Sequence, residues 1–271
     1  MGKPGKIVLV VLAAALASLI VWQVAQPPGE PVYKGKRLSE WLPYDVGGGG
    51  WQMRPEFEEA VRQAGTKAIP ALLRMLRAKD SPFKVSLIRL VQRHHILKVH
   101  YIPAGVLNDS GCCGIGILGA DAQSAMPELI EIANRKISPQ SQVSAIYSLG
   151  GLAPSAKEAV PSLLRWATDG NAQVRSSAIE VLGRIGAEGD LVMPVLINAL
   201  HDPSAEVQTR ALAALRKFGP DAHLAVPALV AFLNSLNPPT PFEVHRCAEV
   251  LRALQAIDPE AAAKAGITNS P

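Results

Sequence analysis

Apolar residues return along this chain in the same grouping at a nearly constant interval. Each group contains an apolar residue, a proline and, two positions after the proline, a leucine, as in MPVL at 193–196. The prolines of consecutive groups lie 34, 33 and 33 residues apart, at Pro127, Pro161, Pro194 and Pro227. Such an interval is typical of helical pairs that stack into a solenoid. The chain is therefore predicted to be an all-α, α-α superhelix.

Each copy of the repeat predicts two helices. The first begins at the proline, because a fixed φ angle and a missing N–H are harmless in the first turn of a helix. In the second helix, small and large residues recur in columns. One column holds the small residues Gly111, Ala145, Ala178 and Ala211, and the next holds Cys112, Ile146, Ile179 and Leu212. The small residues are predicted to let helices approach closely, while the larger ones fill the layer between repeats.

Three glycines fall in one of these second helices, at Gly111, Gly114 and Gly116. Glycine costs a helix interior up to about 1 kcal/mol relative to alanine, so this helix is predicted to be the least stable of the set. The substitution Gly114→Ala is then expected to raise the melting temperature.

One interval breaks the series, because Pro70 and Pro127 are 57 residues apart. The excess lies near 81–105 and includes an amphipathic run from Phe83 to His94. Insertions in solenoids often emerge on the binding face, so this segment is one candidate binding site. The alternative, which we favour, is an extra helix that packs over the first repeats.

The N-terminus carries an uncharged apolar run of 19 residues, Ile7 to Ala25. As a helix it would span roughly 28 Å, close to the hydrocarbon thickness of a bilayer. We predict a single-pass membrane anchor with the repeat domain outside the cytoplasm, on the periplasmic side, because Lys3 and Lys6 abut the span. The alternative is a signal peptide cleaved after Ala17, which would leave a secreted protein.

The predicted organisation has four parts. Residues 1–26 form the anchor or signal peptide, and 27–55 form a linker and an N-terminal cap. The cap is expected to cover the open end of the solenoid with Leu38, Trp41 and Leu42; a docking peptide is the other interpretation. The repeats occupy 56–259, and 260–271 form a C-terminal tail.

The repeat resembles a known family. The pattern in which A-V-P-x-L-L is followed by V-R-x-x-A-x-x-A-L-G is similar to HEAT repeats, in particular the bacterial PBS-lyase HEAT-like kind, from Gln63 to about Ile257. The clearest copies lie between Gly119 and Val230; Gln208 departs from the pattern, standing where the preceding copy has Arg175. The resemblance implies a protein-binding scaffold, with a phycobilin-lyase-like or other accessory factor for a cofactor-bearing protein as the alternative.

Composition and motifs narrow the function further. The net charge of +4, to which Lys3 and Lys6 contribute, is too small for a general nucleic-acid binder. There is no nucleophile elbow, phosphate-cradling loop or zinc motif, so neither catalysis nor a cofactor is predicted.

The histidines and cysteines near the insertion do not form a recognised ligand set. His94, His95 and His100 lack a ligand spacing, and Cys112 occupies a core column beside Cys113. We predict neither a metal site nor a disulfide there.

A candidate partner surface follows from the helix period. In HEAT-like solenoids the second helices line the concave face, which would turn Ser177, Glu180 and Arg184 outward. The corresponding positions of other copies are Tyr147, Arg210, Lys217, Arg246, Glu249 and Ala253. Basic residues outnumber acidic ones there. We hypothesise that this face binds an acidic segment of another protein through Tyr147, Glu180, Arg184, Arg210, Lys217 and Arg246; the alternative is a solvated face of mixed charge.

Overall fold

A computed structural model describes residues 29–42, 54–93, 101–236 and 244–265. The predicted anchor Ile7–Ala25 and the three histidines His94, His95 and His100 lie outside these ranges. Within them, no helix combines the length and the apolar character that crossing a bilayer requires.

A short hairpin and a helical turn begin the described chain. Strands β1 (Val32–Tyr33) and β2 (Lys36–Arg37) pair antiparallel. Lys34 and Gly35 both have positive φ, 47° and 76°, as a tight two-residue hairpin turn requires. A helical turn follows at Leu38–Trp41, within the predicted cap. Leu38 and Leu42 are buried in the same core as the first helix of the array, so this segment covers the end of the core.

The rest of the described chain is helical. Helices α1 to α13 span Pro55–Ala64, Ile69–Leu76, Pro82–Arg93, Ala104–Leu118, Met126–Arg135, Pro139–Gly151, Val160–Trp166, Ala172–Ile185, Gly189–Ala199, Ala205–Phe218, Val226–Ser235, Val244–Ile257 and Pro259–Lys264. Five pairs follow one another: α2 with α4, α5 with α6, α7 with α8, α9 with α10, and α11 with α12. The inserted helix α3 interrupts the first pair. The prediction of an all-α repeat solenoid is confirmed for the described residues.

Residues that recur at equivalent positions of the repeat form the core. The leucines that follow each repeat proline are all fully buried, at Leu72, Leu129, Leu163, Leu196 and Leu229. Helices α2, α5, α7 and α11 start one residue before their proline rather than at it, and the proline lies in the first turn as predicted. Helix α9 differs, because it begins at Gly189 and carries Pro194 in its interior. The turn before the proline is α-helical in this pair, whereas it is a 3₁₀ turn in the pairs with α5 and α11.

The packing around Gly114 argues against the expected rise in melting temperature. Helix α4 packs on α2 so closely that a Cβ at Gly114 would lie 2.3 Å from Cδ2 of Leu72, which is fully buried. A Cβ at Gly111 would lie 2.8 Å from the backbone oxygen of Leu72. These two glycines create the space for α2, so Gly114→Ala would overpack the interface and destabilise it.

The insertion forms helix α3, and Asp80 links the start of this helix to the first residue of α4. The Asp80 Oδ2 accepts a hydrogen bond from the backbone N–H of Ala104 at 2.8 Å, and Oδ1 lies 3.6 Å from Lys84 Nζ. Ile88 and Val91 of α3 are buried, yet neither belongs to the contiguous core that runs through the described repeats. The insertion is therefore anchored at Asp80, while the buried residues of α3 lie outside the solenoid core.

Candidate protein-interaction face

The outward surface of the second helices α6, α8, α10 and α12 is here called the groove face. Arg184 at the end of α8 and Lys217 at the end of α10 are exposed on it. Tyr147 is half-buried, and Glu180 and Arg210 are partly exposed, with side-chain exposures of 26% and 39% for the latter two. These five predicted residues thus lie on three consecutive second helices, α6, α8 and α10.

Three of the predicted residues meet at one carboxylate. Arg210 Nη1 lies 2.8 Å from Glu180 Oε2, and the Tyr147 hydroxyl donates to the same oxygen at 3.4 Å. Burial raises the pKa of the Tyr147 hydroxyl, so it remains a protonated donor at neutral pH. The charge of Arg210 is therefore compensated by Glu180, and this cluster ties α6, α8 and α10 together.

Arg246 takes a different position. Its guanidinium donates to Gln208 Oε1 on α10 and stacks over the Phe232 ring on α11, with 5.2 Å from Cζ to the ring centroid. Arg246 therefore packs between three helices. Nearby, Glu249 of α12 pairs with Arg216 at 3.7 Å and with Arg252.

Two residues predicted to point outward are buried. Ser177 is 1% exposed and donates its hydroxyl to the Gln173 carbonyl at 2.6 Å, and Ala253 is fully buried. Neighbouring second helices approach closely enough, as at Gly183 and Ala214, to cover side chains of this size. Only longer side chains reach the groove face at these positions.

The turns between helices carry a set of contacts that sequence reasoning missed. Arg175 Nη1 donates to the carbonyls of Asp169 and Gly170 at 2.8 and 3.2 Å, which fastens the turn of its own pair. The same guanidinium binds both carboxylate oxygens of Asp202 in the next turn, at 2.7 and 2.8 Å. The Arg175 hydrogen bonds hold the pKa of Asp202 below its usual value.

Neighbouring repeats use the same position differently. Gln208, in the column of Arg175, donates to the Asp202 carbonyl at 2.7 Å, and the buried Asn108 donates to the carbonyls of Met75 and Leu76, both at 2.9 Å. In these three pairs the polar side chain at this position therefore binds backbone carbonyls of its own pair, whereas Nε2 of the buried Gln142, in the same column, has no hydrogen-bond partner among the described residues. The signal in the sequence is the column itself, in which Arg175, Gln208 and Asn108 are all polar.

Cys112 and Cys113 lie in surroundings that keep their thiols protonated. All three cysteines are free thiols. Burial raises the pKa of the Cys112 thiol to about 12, and burial also raises that of Cys113, so neither is a thiolate at neutral pH. Within the described ranges, no group of three or more His, Cys, Asp or Glu side chains is placed to hold a metal ion.

Comparison with known proteins finds similarity to part of the chain. Residues 126–193 match the family model described as HEAT repeats. No curated protein matches the chain. Among solved structures, an engineered protein is similar over 84% of this chain and 88% of its own, with 19% identity and a TM-score of 0.49. Residues 126–193 of this helical solenoid are thus similar to HEAT repeats, a kind of structure that commonly mediates protein interactions.

Proposed function

We propose that this protein is a non-catalytic scaffold, tethered to a membrane, that binds an acidic segment of another protein on the groove face. The observation that carries the proposal is the pair Arg184 and Lys217. These residues occupy the same position in consecutive repeats, both are exposed, and neither forms an ion pair within the described part of the chain. Adjacent packed helices lie about 8–10 Å apart, which suits successive carboxylates of an extended partner.

The balance of charge on this face supports the proposal. The acidic residues Glu180 and Glu249 are each paired with an arginine of a neighbouring second helix. Arg184 and Lys217 therefore add positive charge that these carboxylates do not neutralise. Basic residues in the last turn also favour the helix dipole, which would account for them without any partner. Charge reversal distinguishes the two explanations, because it weakens binding only if these residues contact a partner.

The double variant Arg184→Glu/Lys217→Glu is expected to weaken capture of the partner about tenfold and to reduce the salt dependence of binding. The bait is the full chain, and the partner is the protein that it retains from detergent-solubilised membranes. Arg210 is left unchanged, because its reversal would also break the contact with Glu180.

The matched control is Arg165→Glu, at an exposed position of the first helix α7. It should bind like the wild type, and all variants should retain the helical circular dichroism and melting point. If the double variant binds normally while Leu90→Ser in α3 abolishes binding, the partner site is the inserted segment and the groove proposal is wrong.

The tether is tested separately. The chain is expected to stay in the membrane pellet after extraction with sodium carbonate at high pH, because burial of the apolar span Ile7–Ala25 does not depend on charge. Release into the supernatant would contradict the tether. A soluble mature form beginning near Ser18 would establish cleavage of a signal peptide instead.

A further inference from the structure

Helix α3 presents large apolar side chains to solvent. Phe83 is 75% exposed and Leu90 is 44% exposed, whereas Ile88 and Val91 on the other side of the helix are buried. Phe83 and Leu90 are seven residues apart and therefore lie on the same face, two turns from each other. A single exposed apolar side chain needs no explanation, but two aligned on one helix form a stripe that can contact a partner.

The exposed side of α3 is also basic. Helix α3 contains Lys84, Arg89 and Arg93, and the sequence has no acidic residue between Asp80 and Asp109. Lys84 turns toward Asp80 and the ring of Tyr101, but Arg89 is exposed. The helix therefore combines an apolar stripe with unbalanced positive charge.

The attachment of α3 leaves this surface available. Its buried residues lie outside the contiguous core of the described repeats, and Asp80 fastens both ends of the insertion. The helix is thus presented at the first repeat, the one nearest the predicted anchor. Only Gln26, Pro27 and Pro28 separate the predicted span from Gly29, a distance of at most about 15 Å when the chain is extended.

We propose that α3 lies on the surface of an anionic phospholipid bilayer, with Phe83 and Leu90 inserted among the acyl chains and Arg89 against the headgroups. This proposal rests on the proposed tether, which would keep the first repeat close to the bilayer. A basic amphipathic helix with large apolar residues is suited to this position, since apolar burial and attraction to anionic lipids add together. The contact would make α3 a second point of attachment and orient the solenoid relative to the membrane.

The charge of α3 favours lipid headgroups that are anionic over ones that are zwitterionic. Basic side chains are attracted to an anionic lipid surface, whereas a zwitterionic surface offers no such attraction. A protein partner for α3 would have to provide both an apolar groove and acidic residues. The experiment therefore compares lipid compositions first and adds protein last.

Hydrogen exchange of the full chain tests the proposal. The chain is reconstituted in nanodiscs of phosphatidylcholine alone or of phosphatidylcholine with phosphatidylglycerol, and exchange is followed in the peptide covering 82–93. We expect exchange of α3 to slow about tenfold in the anionic nanodiscs relative to the zwitterionic ones, because a helix held against lipid opens less often. Exchange in α8, within the repeats, should be the same in both.

Matched variants identify the surface that causes the protection. Phe83→Ser/Leu90→Ser and Arg89→Glu should remove it, whereas Leu191→Ser/Leu224→Ser, at exposed leucines elsewhere, should not. Equal exchange of α3 in both lipid compositions would overturn the proposal. Protection that arises only when a membrane protein extract is added would also overturn it, because a protein would then cover the helix.

Failure of the tether is distinguishable from failure of this proposal. A chain without a functional tether does not co-elute with nanodiscs. In that case the soluble chain is mixed with vesicles of the same two compositions, and exchange of α3 is compared in the same way. Slower exchange with anionic vesicles supports the proposal even without the tether, and equal exchange overturns it.

Discussion

Arg175→Ala is expected to lower the free energy of unfolding by about 2 kcal/mol, between the values typical of exposed and of fully buried ion pairs. The side chains of Arg175 and Asp202 are only 14% and 11% exposed, and the contact is bidentate. Removing the guanidinium leaves the Asp202 carboxylate without that partner and also uncaps the carbonyls of Asp169 and Gly170. Both effects weaken the junction between two repeats.

Chemical denaturation of the two single variants and the double variant Arg175→Ala/Asp202→Ala measures the coupling between the residues. The control is Lys264→Ala, which breaks an ion pair whose side chains are 75% and 79% exposed. That variant should unfold like the wild type. Equal stability of Arg175→Ala and the wild type would show that the repeats are held together by their apolar contacts alone.

The lowered pKa values of two aspartates predict how the free energy of unfolding depends on pH. The pKa values of Asp202 and Asp169 are both held below their ordinary value, chiefly by Arg175 and by Lys136 respectively. A lowered folded-state pKa stabilises the protein above the ordinary aspartate pKa of about 4, and this stabilisation is lost as the pH falls through the lowered value. The wild type should therefore lose more stability between pH 5 and pH 3 than Arg175→Ala. A constant difference between the two over this range would contradict the assignment.

The repeat architecture could be predicted because it depends on local and periodic signals. A proline in the first turn and a leucine two positions later specify where a first helix begins and which side it buries. The columns of the second helix follow from the same period. Ser177 and Ala253 were misplaced because helix period alone gives a direction, whereas exposure depends on how closely the next helix packs.

The contacts between repeats could not be predicted in the same way. Glu180 and Arg210 occupy different positions of the repeat. They meet only because of how α8 and α10 are placed along each other. Arg246 appeared equivalent to Arg210, yet it packs on Phe232, which belongs to a first helix. The amphipathic run predicted α3, but its exclusion from the repeat core depends on tertiary packing.

The other large effect on stability is expected from substituting a glycine of a second helix. Gly183 of α8 faces α10 so closely that a Cβ would lie 2.6 Å from the Cβ of Ala214 and 2.8 Å from its Cα. Because one of these atoms belongs to the backbone, the clash cannot be relieved by a side-chain rotation. We expect Gly183→Ala to lower the free energy of unfolding by about 2 kcal/mol, since overpacking outweighs the gain in helix propensity.

Gly116 is the matched control, because it occupies the same column in α4 but a Cβ there would meet no atom within 4 Å. Gly116→Ala should therefore stabilise the protein by up to about 1 kcal/mol, the difference in helix propensity between the two residues. Opposite shifts of the denaturation midpoint for the two variants are the expected result. If both variants were stabilised, helix propensity alone would govern these positions, and the close approach of α8 to α10 would not constrain residue 183.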